Sequence, residues 1–487
     1  MNIWARKSVE ALCSEAAVQG EVTALPRSIG VFALTCIGVG ATVGAGIFVL
    51  TGSVAAEHSG PAVGVSFLLA SIVCLLAGLC YAELAAMIPV AGSAYSYTYA
   101  TLGEGVAWTV GWCLVLEYLF SASLVAISWA GYAQSTLHQM GIDLPAAWLA
   151  APFDVSDAWR VYRTPTLINL PAVLVTAVCT LVLLAGLKTS ARVNNLVVVA
   201  KVIAILVVVF VGAGHVHTAL WHPYIPPNTG QFGVFGWSGV FQGTAILFFA
   251  YIGFDAVSTM GQEVRNPQRA IPLSLLLALG ICALLYFAVS FVVTGLVGYR
   301  DLAVPDPMYL ALDRAGPSVL WAKYLVGFVA VAGLVSVLLV TLMGQVRVFY
   351  AMGRDGLLPA AFARVHPKTH TPHIGTIVTG VVSCIAAGLL PLGLLGDIIS
   401  MGTLLAFGIV CAGVLLLRHA RPDLRRPFKA PGGVWVPLAG AACCVGLMAT
   451  LPRLAWVGFL VWLVIGLGVY GLYGATRSKL QRVAQSG

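Results

Sequence analysis

The sequence predicts an all-α integral membrane protein with twelve transmembrane helices. Three observations carry that prediction. Sixty per cent of the 487 residues are hydrophobic and 9% are charged, against about 25% charged in soluble domains, and mean hydropathy is +0.95. The apolar residues fall into runs that approach the roughly 20 needed to cross a bilayer. Lys and Arg, finally, are shared very unequally between alternate connecting loops.

Taken in order, residues 1–28 are expected as a cytoplasmic amphipathic segment, with 2–20 lying as a short helix on the membrane surface. No short apolar core with a cleavage site after it occurs there, so no signal peptide is expected. The apolar runs cover approximately 29–52, 62–88, 105–135, 166–187, 194–213, 238–262, 271–297, 320–351, 374–393, 396–418, 433–452 and 455–474. Long loops are expected only at about 136–165, 214–237 and 298–319. The runs group as a ten-helix core over 29–418, two accessory helices over 419–474 and a cytoplasmic tail over 475–487.

Nineteen Lys and Arg lie on the side that carries both termini, six lie on the other, and Lys201 falls within a run. The positive-inside rule therefore places both termini in the cytoplasm. The net charge of +8 is scattered through these loops rather than gathered on one face, so it marks a membrane rim and not a nucleic-acid partner. All eleven cysteines except Cys13 lie in or beside apolar runs without metal-ligand spacing. They read as packing thiols; no disulfide, metal or cofactor is expected.

The first run holds IGVGATVGAGIFVLTGS (37–53), with Gly38, Gly40, Gly44 and Gly46 near its middle. Glycine weakens a helix, and irregular backbone at membrane depth is tolerated only where it lines a cavity. The sixth run holds FFAYIGFD (248–255), with Gly253 and a carboxylate in apolar surroundings. One such cluster alone reads as a close-packing surface. Two, in equivalent positions of runs 1–5 and 6–10, read as broken helices; an odd number of runs per unit inverts the second unit. A broken helix exposes N–H groups on one half and C=O groups on the other. Facing sets of both kinds suit a zwitterion, the α-carboxylate and α-ammonium of an amino acid.

At these residues the chain resembles the amino acid–polyamine–organocation superfamily, and within it the cationic amino acid transporter family. The matching stretches are GVGATVGAGIFVLTG (38–52), YAELAAMIPVAGSAYSYTYATLGE (81–104), GLKTSARVNN (186–195), FFAYIGFDAVSTMGQEVRNPQRAIP (248–272) and GQVRVFYAMGRDGLLP (344–359). The resemblance implies a LeuT-type fold: a five-plus-five inverted repeat, discontinuous first and sixth helices, and two extra C-terminal helices, as in shorter bacterial members. It implies that the amides of Ala45 and Gly46 hold the substrate carboxylate, with Gly44 and Gly253 as the glycines of the unwound segments. The carbonyls of Thr42, Phe249, Ala250 and Ile252 would hold the ammonium, and Phe249 matches the aromatic that closes over the substrate. Many relatives carry a hydroxyl where this chain has Ala45, so that side-chain contact is absent here.

Ionisable groups inside spans are functional hypotheses by default. Lys201, in NNLVVVAKVIAILVVV, lies about seven residues, roughly 10 Å, from the nearest loop. In proton-coupled relatives a lysine here takes the place of a sodium ion and bridges the broken first helix to the eighth, where Ser336 is the expected partner. A lysine withdrawn from water can exchange its proton within a cell's working range; the alternative is a permanently charged structural lysine. Glu117, in GWCLVLEYLFSASL, faces the central cavity by resemblance. It either receives a cationic side chain or, protonated, hydrogen-bonds between helices. Asp255 either stabilises the unwound segment or exchanges protons. His215, His217 and His222 read as solvent-exposed loop residues.

The expected function is secondary transport of L-amino acids, small neutral or cationic, across the bacterial inner membrane with protons. No Walker A motif supplies ATP chemistry, and no HExxH, GxSxG or paired-carboxylate constellation supports an enzyme. An exchanger specific for arginine, lysine or ornithine, and a non-transporting amino-acid sensor, are the alternatives. Expected partners are the amino acid, protons and lipids; beyond an optional small membrane subunit, the chain is expected as a monomer.

Overall fold

The computed structural model describes residues 3–8, 12, 29–88, 93–155, 161–186, 191–259, 264–369 and 371–486. Most of them are helical. In chain order the principal helices are α1 (Val31–Thr42), α2 (Val63–Met87), α3 (Ser93–Thr101), α4 (Glu104–Gln139), α5 (Leu170–Leu184) and α6 (Ala191–Ala213). They continue with α7 (Gly236–Leu247), α8 (Ala256–Thr259), α9 (Pro267–Leu296), α10 (Pro307–Arg314), α11 (Leu320–Arg354) and α12 (His373–Leu389). The last are α13 (Leu392–Ala420), α14 (Trp435–Thr450), α15 (Arg453–Val469) and α16 (Lys479–Ser486).

Among the described residues seven segments are long and apolar enough to cross a bilayer, and α1, α5, α12 and α14 are shorter apolar helices. α4 lies along α11 and α13, α9 packs along α1 and α2, α6 lies against α11, and α5 pairs with α12. The large hydrophobics left exposed, such as Phe210, Leu284 and Phe328, face outward from this bundle, as spans in hydrocarbon require. The loop expected over 136–165 contains an antiparallel hairpin, β1 (Phe153–Val155) on β2 (Val161–Arg163), with Phe153 opposite Arg163.

One helix departs from the sequence reading. Residues 93–101, SAYSYTYAT, fall in a connection between two apolar runs, yet they form α3 with every residue buried. Mixed hydroxyls and aromatics give no hydropathy signal; the helix is held by tertiary bonds. Tyr95 donates to Asp355 Oδ2 at 2.8 Å, and Tyr97 meets Tyr81 edge to face at 6.1 Å.

The expected surface helix over 2–20 lies largely outside the described residues. Residues 3–8 are non-helical and dock on the bundle: Ile3 and Ala5 carbonyls accept from the Gly105 and Glu104 amides, each at 2.9 Å. Lys7 Nζ pairs with Asp355 Oδ1 at 3.0 Å. The other end of the chain reaches the same place. Glu104, fully buried at the start of α4, accepts from Tyr99 at 2.8 Å, Tyr470 at 3.0 Å, Gln481 Nε2 at 2.8 Å and Ser478. A carboxylate at a helix start also complements the helix dipole.

A second buried carboxylate fixes α2 to α13. Glu83 Oε1 accepts from Arg418 Nε at 2.9 Å and Oε2 from the Ala430 amide at 2.8 Å, with Arg418 Nη2 as a further donor. Arg426 Nε stands 3.5 Å away. Removing one partner of a buried pair leaves an uncompensated charge, which costs about 3–5 kcal/mol. Arg418→Ala is expected near the lower end of that range, because Arg426 remains. Thermal unfolding of the purified protein in detergent checks it; an unchanged midpoint would show that the pair is dispensable.

Candidate functional site

Both glycine-rich stretches interrupt their helices. α1 ends at Thr42, and Val43 (φ −74°, ψ 91°) has left helical geometry although its amide still reaches Val39 O at 2.8 Å. Helical structure resumes through a wide π-helical turn, Gly46–Leu50. In the sixth run, α7 gives way to a tight 3₁₀ turn, Phe248–Tyr251, and then to the extended residue Ile252 (φ −60°, ψ 139°). Gly253 follows at φ +114°, in a region that only glycine enters without strain.

The two interruptions touch backbone to backbone. A Cβ on Gly46 would stand 2.4 Å from Ala250 Cα, and one on Gly253 would stand 2.8 Å from the Ala41 carbonyl carbon and oxygen. The remaining glycines of the first run have a different duty. Gly38 and Gly40 lie within regular α1, where added Cβ atoms would meet Val257 at 2.8 Å and Val198 at 2.3 Å. They serve close helix packing and do not unwind the helix, so of the four only Gly44 and Gly46 belong to the interruption.

Beside this contact lies a cavity of about 50 Å³, room for roughly three or four water molecules. Of the residues expected at the site, Thr42, Gly44, Ala45, Gly46, Phe249, Ile252 and Gly253 line it. Ala250 lies behind the lining, against Gly46. The opposite wall comes from α4 and α11: Tyr118, Ser121 and Val125 at i, i+3 and i+7, with Val337, Val340 and Thr341. No charged side chain is among the described lining residues. Tyr118, Ser121 and Val125 passed unnoticed in the sequence; the period-3.6 face they share on α4 is the signal that could have found them.

Tyr286 on α9 was also missed. Its hydroxyl is within hydrogen-bond reach of two carbonyls, Thr42 O at 2.8 Å and Ala250 O at 2.9 Å. One ring thus bridges both interruptions at two of the carbonyls expected to hold an ammonium. A carbonyl has two lone pairs, so each keeps capacity for a second donor. Tyr286→Phe would leave buried acceptors short of a partner, at about 1–3 kcal/mol. Substrate affinity is expected to fall about tenfold on that scale, as measured by equilibrium binding; unaltered affinity would remove Tyr286 from the site.

Lys201 is 1% exposed and donates to Gly40 O at 2.7 Å and Val43 O at 2.9 Å. It thereby holds the end of α1 where the helix breaks. Its stem passes over Gly333 of α11, where a Cβ would meet Lys201 Cδ at 2.6 Å; Ser336 stands one turn farther along that helix. Glu117 is not among the lining residues: buried, it takes a hydrogen bond from Thr403 of α13 at 2.9 Å. Asp255 Oδ2 accepts from Tyr118 and Ser93, each at 3.3 Å, tying the second interruption to α4 and α3. Glu117 Oε1 and Asp255 Oδ1 are buried without a hydrogen-bond partner among the described residues.

Interrupted helices that meet at a cavity within a membrane-spanning bundle define a membrane transport protein. The chain belongs to the amino acid permease family, whose profile matches residues 29–472. It is 41% identical over 482 residues to the branched-chain amino acid permease BcaP of Bacillus subtilis, covering 99% of each chain. To the methylthioribose transporter of the same organism it is 40% identical over 481 residues, covering 99% of this chain and all of that one. A cationic amino acid transporter of Arabidopsis thaliana, number 4, vacuolar, is 39% identical over 399 residues, which are 82% of this chain and 64% of that protein.

Proposed function

We propose that this chain is a secondary transporter of small neutral L-amino acids, working by alternating access and coupled to protons through Lys201. One observation carries the reading. Main chain from two interrupted helices meets at a cavity whose far wall carries Val125, Val337 and Val340 beside Tyr118, Ser121 and Thr341, with no charged side chain among its described lining residues. Free N–H and C=O groups at helix ends suit the two charges of a zwitterion. Valine walls suit an apolar side chain, whereas a guanidinium or ammonium tail would need polar partners to replace its water. Similarity to branched-chain permeases favours the same substrates.

On this reading Ala45 and Gly46 amides take the carboxylate, and the Thr42, Phe249, Ala250 and Ile252 carbonyls take the ammonium. Gly44 and Gly253 keep the segments unwound, and Asp255 braces the second one. The architecture on this reading is a ten-helix, LeuT-type inverted repeat over 29–418 with two accessory helices over 419–474. The lysine and arginine distribution supports a cytoplasmic location for both termini.

Protein in liposomes tests the proposal. Counterflow of labelled valine or alanine, with competition by all twenty amino acids, should show saturable exchange inhibited most by neutral species. Inhibition by arginine and lysine alone would favour the cationic exchanger, and binding without flux would favour a sensor.

A further inference from the structure

Serine and threonine within helices commonly donate to the carbonyl four residues back. On α4, Thr109, Ser123, Ser128 and Thr136 all do so, at 3.1, 3.0, 2.9 and 2.8 Å. Thr341, across the cavity on α11, does the same with Val337 at 2.8 Å. Ser121 breaks the pattern. It is 5% exposed, its Oγ has no hydrogen-bond partner among the described residues, and it lines the cavity. Val125 lies one turn along the same helix face, and Val337 and Val340 complete that apolar wall. A second hydroxyl without a partner among the described residues, Thr42 Oγ1, sits on the interrupted helix and belongs with the main-chain groups that take the zwitterion.

Buried polar groups nearly always have a partner, so an unspent one in a cavity wall points to a ligand. We propose that Ser121 is a specificity-determining residue that hydrogen-bonds a hydroxyl on the substrate's side chain, admitting β-hydroxy amino acids of threonine's size. The inference rests on the neutral amino-acid reading above and adds the side-chain chemistry to it. Threonine and valine have the same shape, and the valine wall accepts the methyl group of either. Only threonine satisfies Ser121; valine shuts the hydroxyl away from water with nothing in return.

Calorimetric titration of the purified protein with L-threonine and L-valine, for wild type and Ser121→Ala, tests the idea. The ratio of the valine to the threonine dissociation constant is expected to fall about tenfold in the variant, chiefly through weaker threonine binding. Ser123→Ala, whose hydroxyl is already bonded to Leu119 O and Ser383 O, should leave the ratio unchanged. A ratio that is the same in wild type and Ser121→Ala, with both amino acids bound, overturns the assignment and leaves the transporter reading intact. Failure of wild type to bind any neutral amino acid overturns both.

Discussion

Lys201→Ala is expected to lower proton-driven uptake by more than about 100-fold. The ammonium makes two bonds to main chain at the point where α1 breaks, to Gly40 O and Val43 O. Hydrogen bonds to charged groups contribute about 1.5–3 kcal/mol each, and every 1.4 kcal/mol is a factor of ten. Alanine removes both bonds and leaves a hole against Gly333. Lys201→Arg is not expected to rescue, because the lysine stem already fills the space that a Cβ on Gly333 would enter. Uptake driven by an imposed pH gradient, measured beside counterflow at equal pH, separates the two duties proposed for this residue. Loss of gradient-driven uptake with counterflow retained assigns coupling to Lys201. Loss of both assigns it to holding the broken helix. A variant that keeps full uptake and its pH dependence would overturn the coupling proposal.

Gly46→Ala is expected to abolish measurable substrate binding and to lower the thermal midpoint. The added carbon would stand 2.4 Å from both the Cα and the Cβ of Ala250, closer than atoms can approach. The neighbour is main chain, so relief requires the two interruptions to separate. Overpacking of a core costs about 1–3 kcal/mol, and here the separation also deforms the site itself. Gly280→Ala on α9 is the matched control, since nothing among the described residues outside its own helix backbone lies within 4 Å of its added carbon. Within a helix that exchange should be neutral or stabilising by about 0.5–1 kcal/mol. Equal behaviour of the two variants would show that close backbone contact at Gly46 is not needed.

What the sequence disclosed depended on how local each feature is. Hydrocarbon sets a length and a composition, so the apolar runs were readable one by one. Lys201 and Asp255 stood out because each is a charge among apolar neighbours. The glycines of the first run were readable as a group but not as individuals. Gly38 and Gly44 look alike in one dimension, and only the third separates a packing contact with Val257 from a chain break. Tyr286 sits in ICALLYFAVSF, where it passes for one more apolar residue. Its value comes from two carbonyls that meet only because Gly46 and Gly253 lack side chains. Glu117 has its partner, Thr403, 286 residues away, and α3 is held by tyrosine hydroxyls whose acceptors, Asp355 and Glu104, lie at the ends of other helices. Neither pairing leaves a trace in hydropathy.

The docking of both chain ends has a practical consequence. Ser478 and Gln481 converge on Glu104, and Ile3 and Ala5 hold the first amides of the same helix. A fluorescent reporter or affinity handle joined tightly at either extremity would therefore pull on one shared anchorage. A Gly-Ser spacer, which behaves as slack coil, would decouple the two, so activity assays on short-spaced fusions would report the handle as well as the carrier.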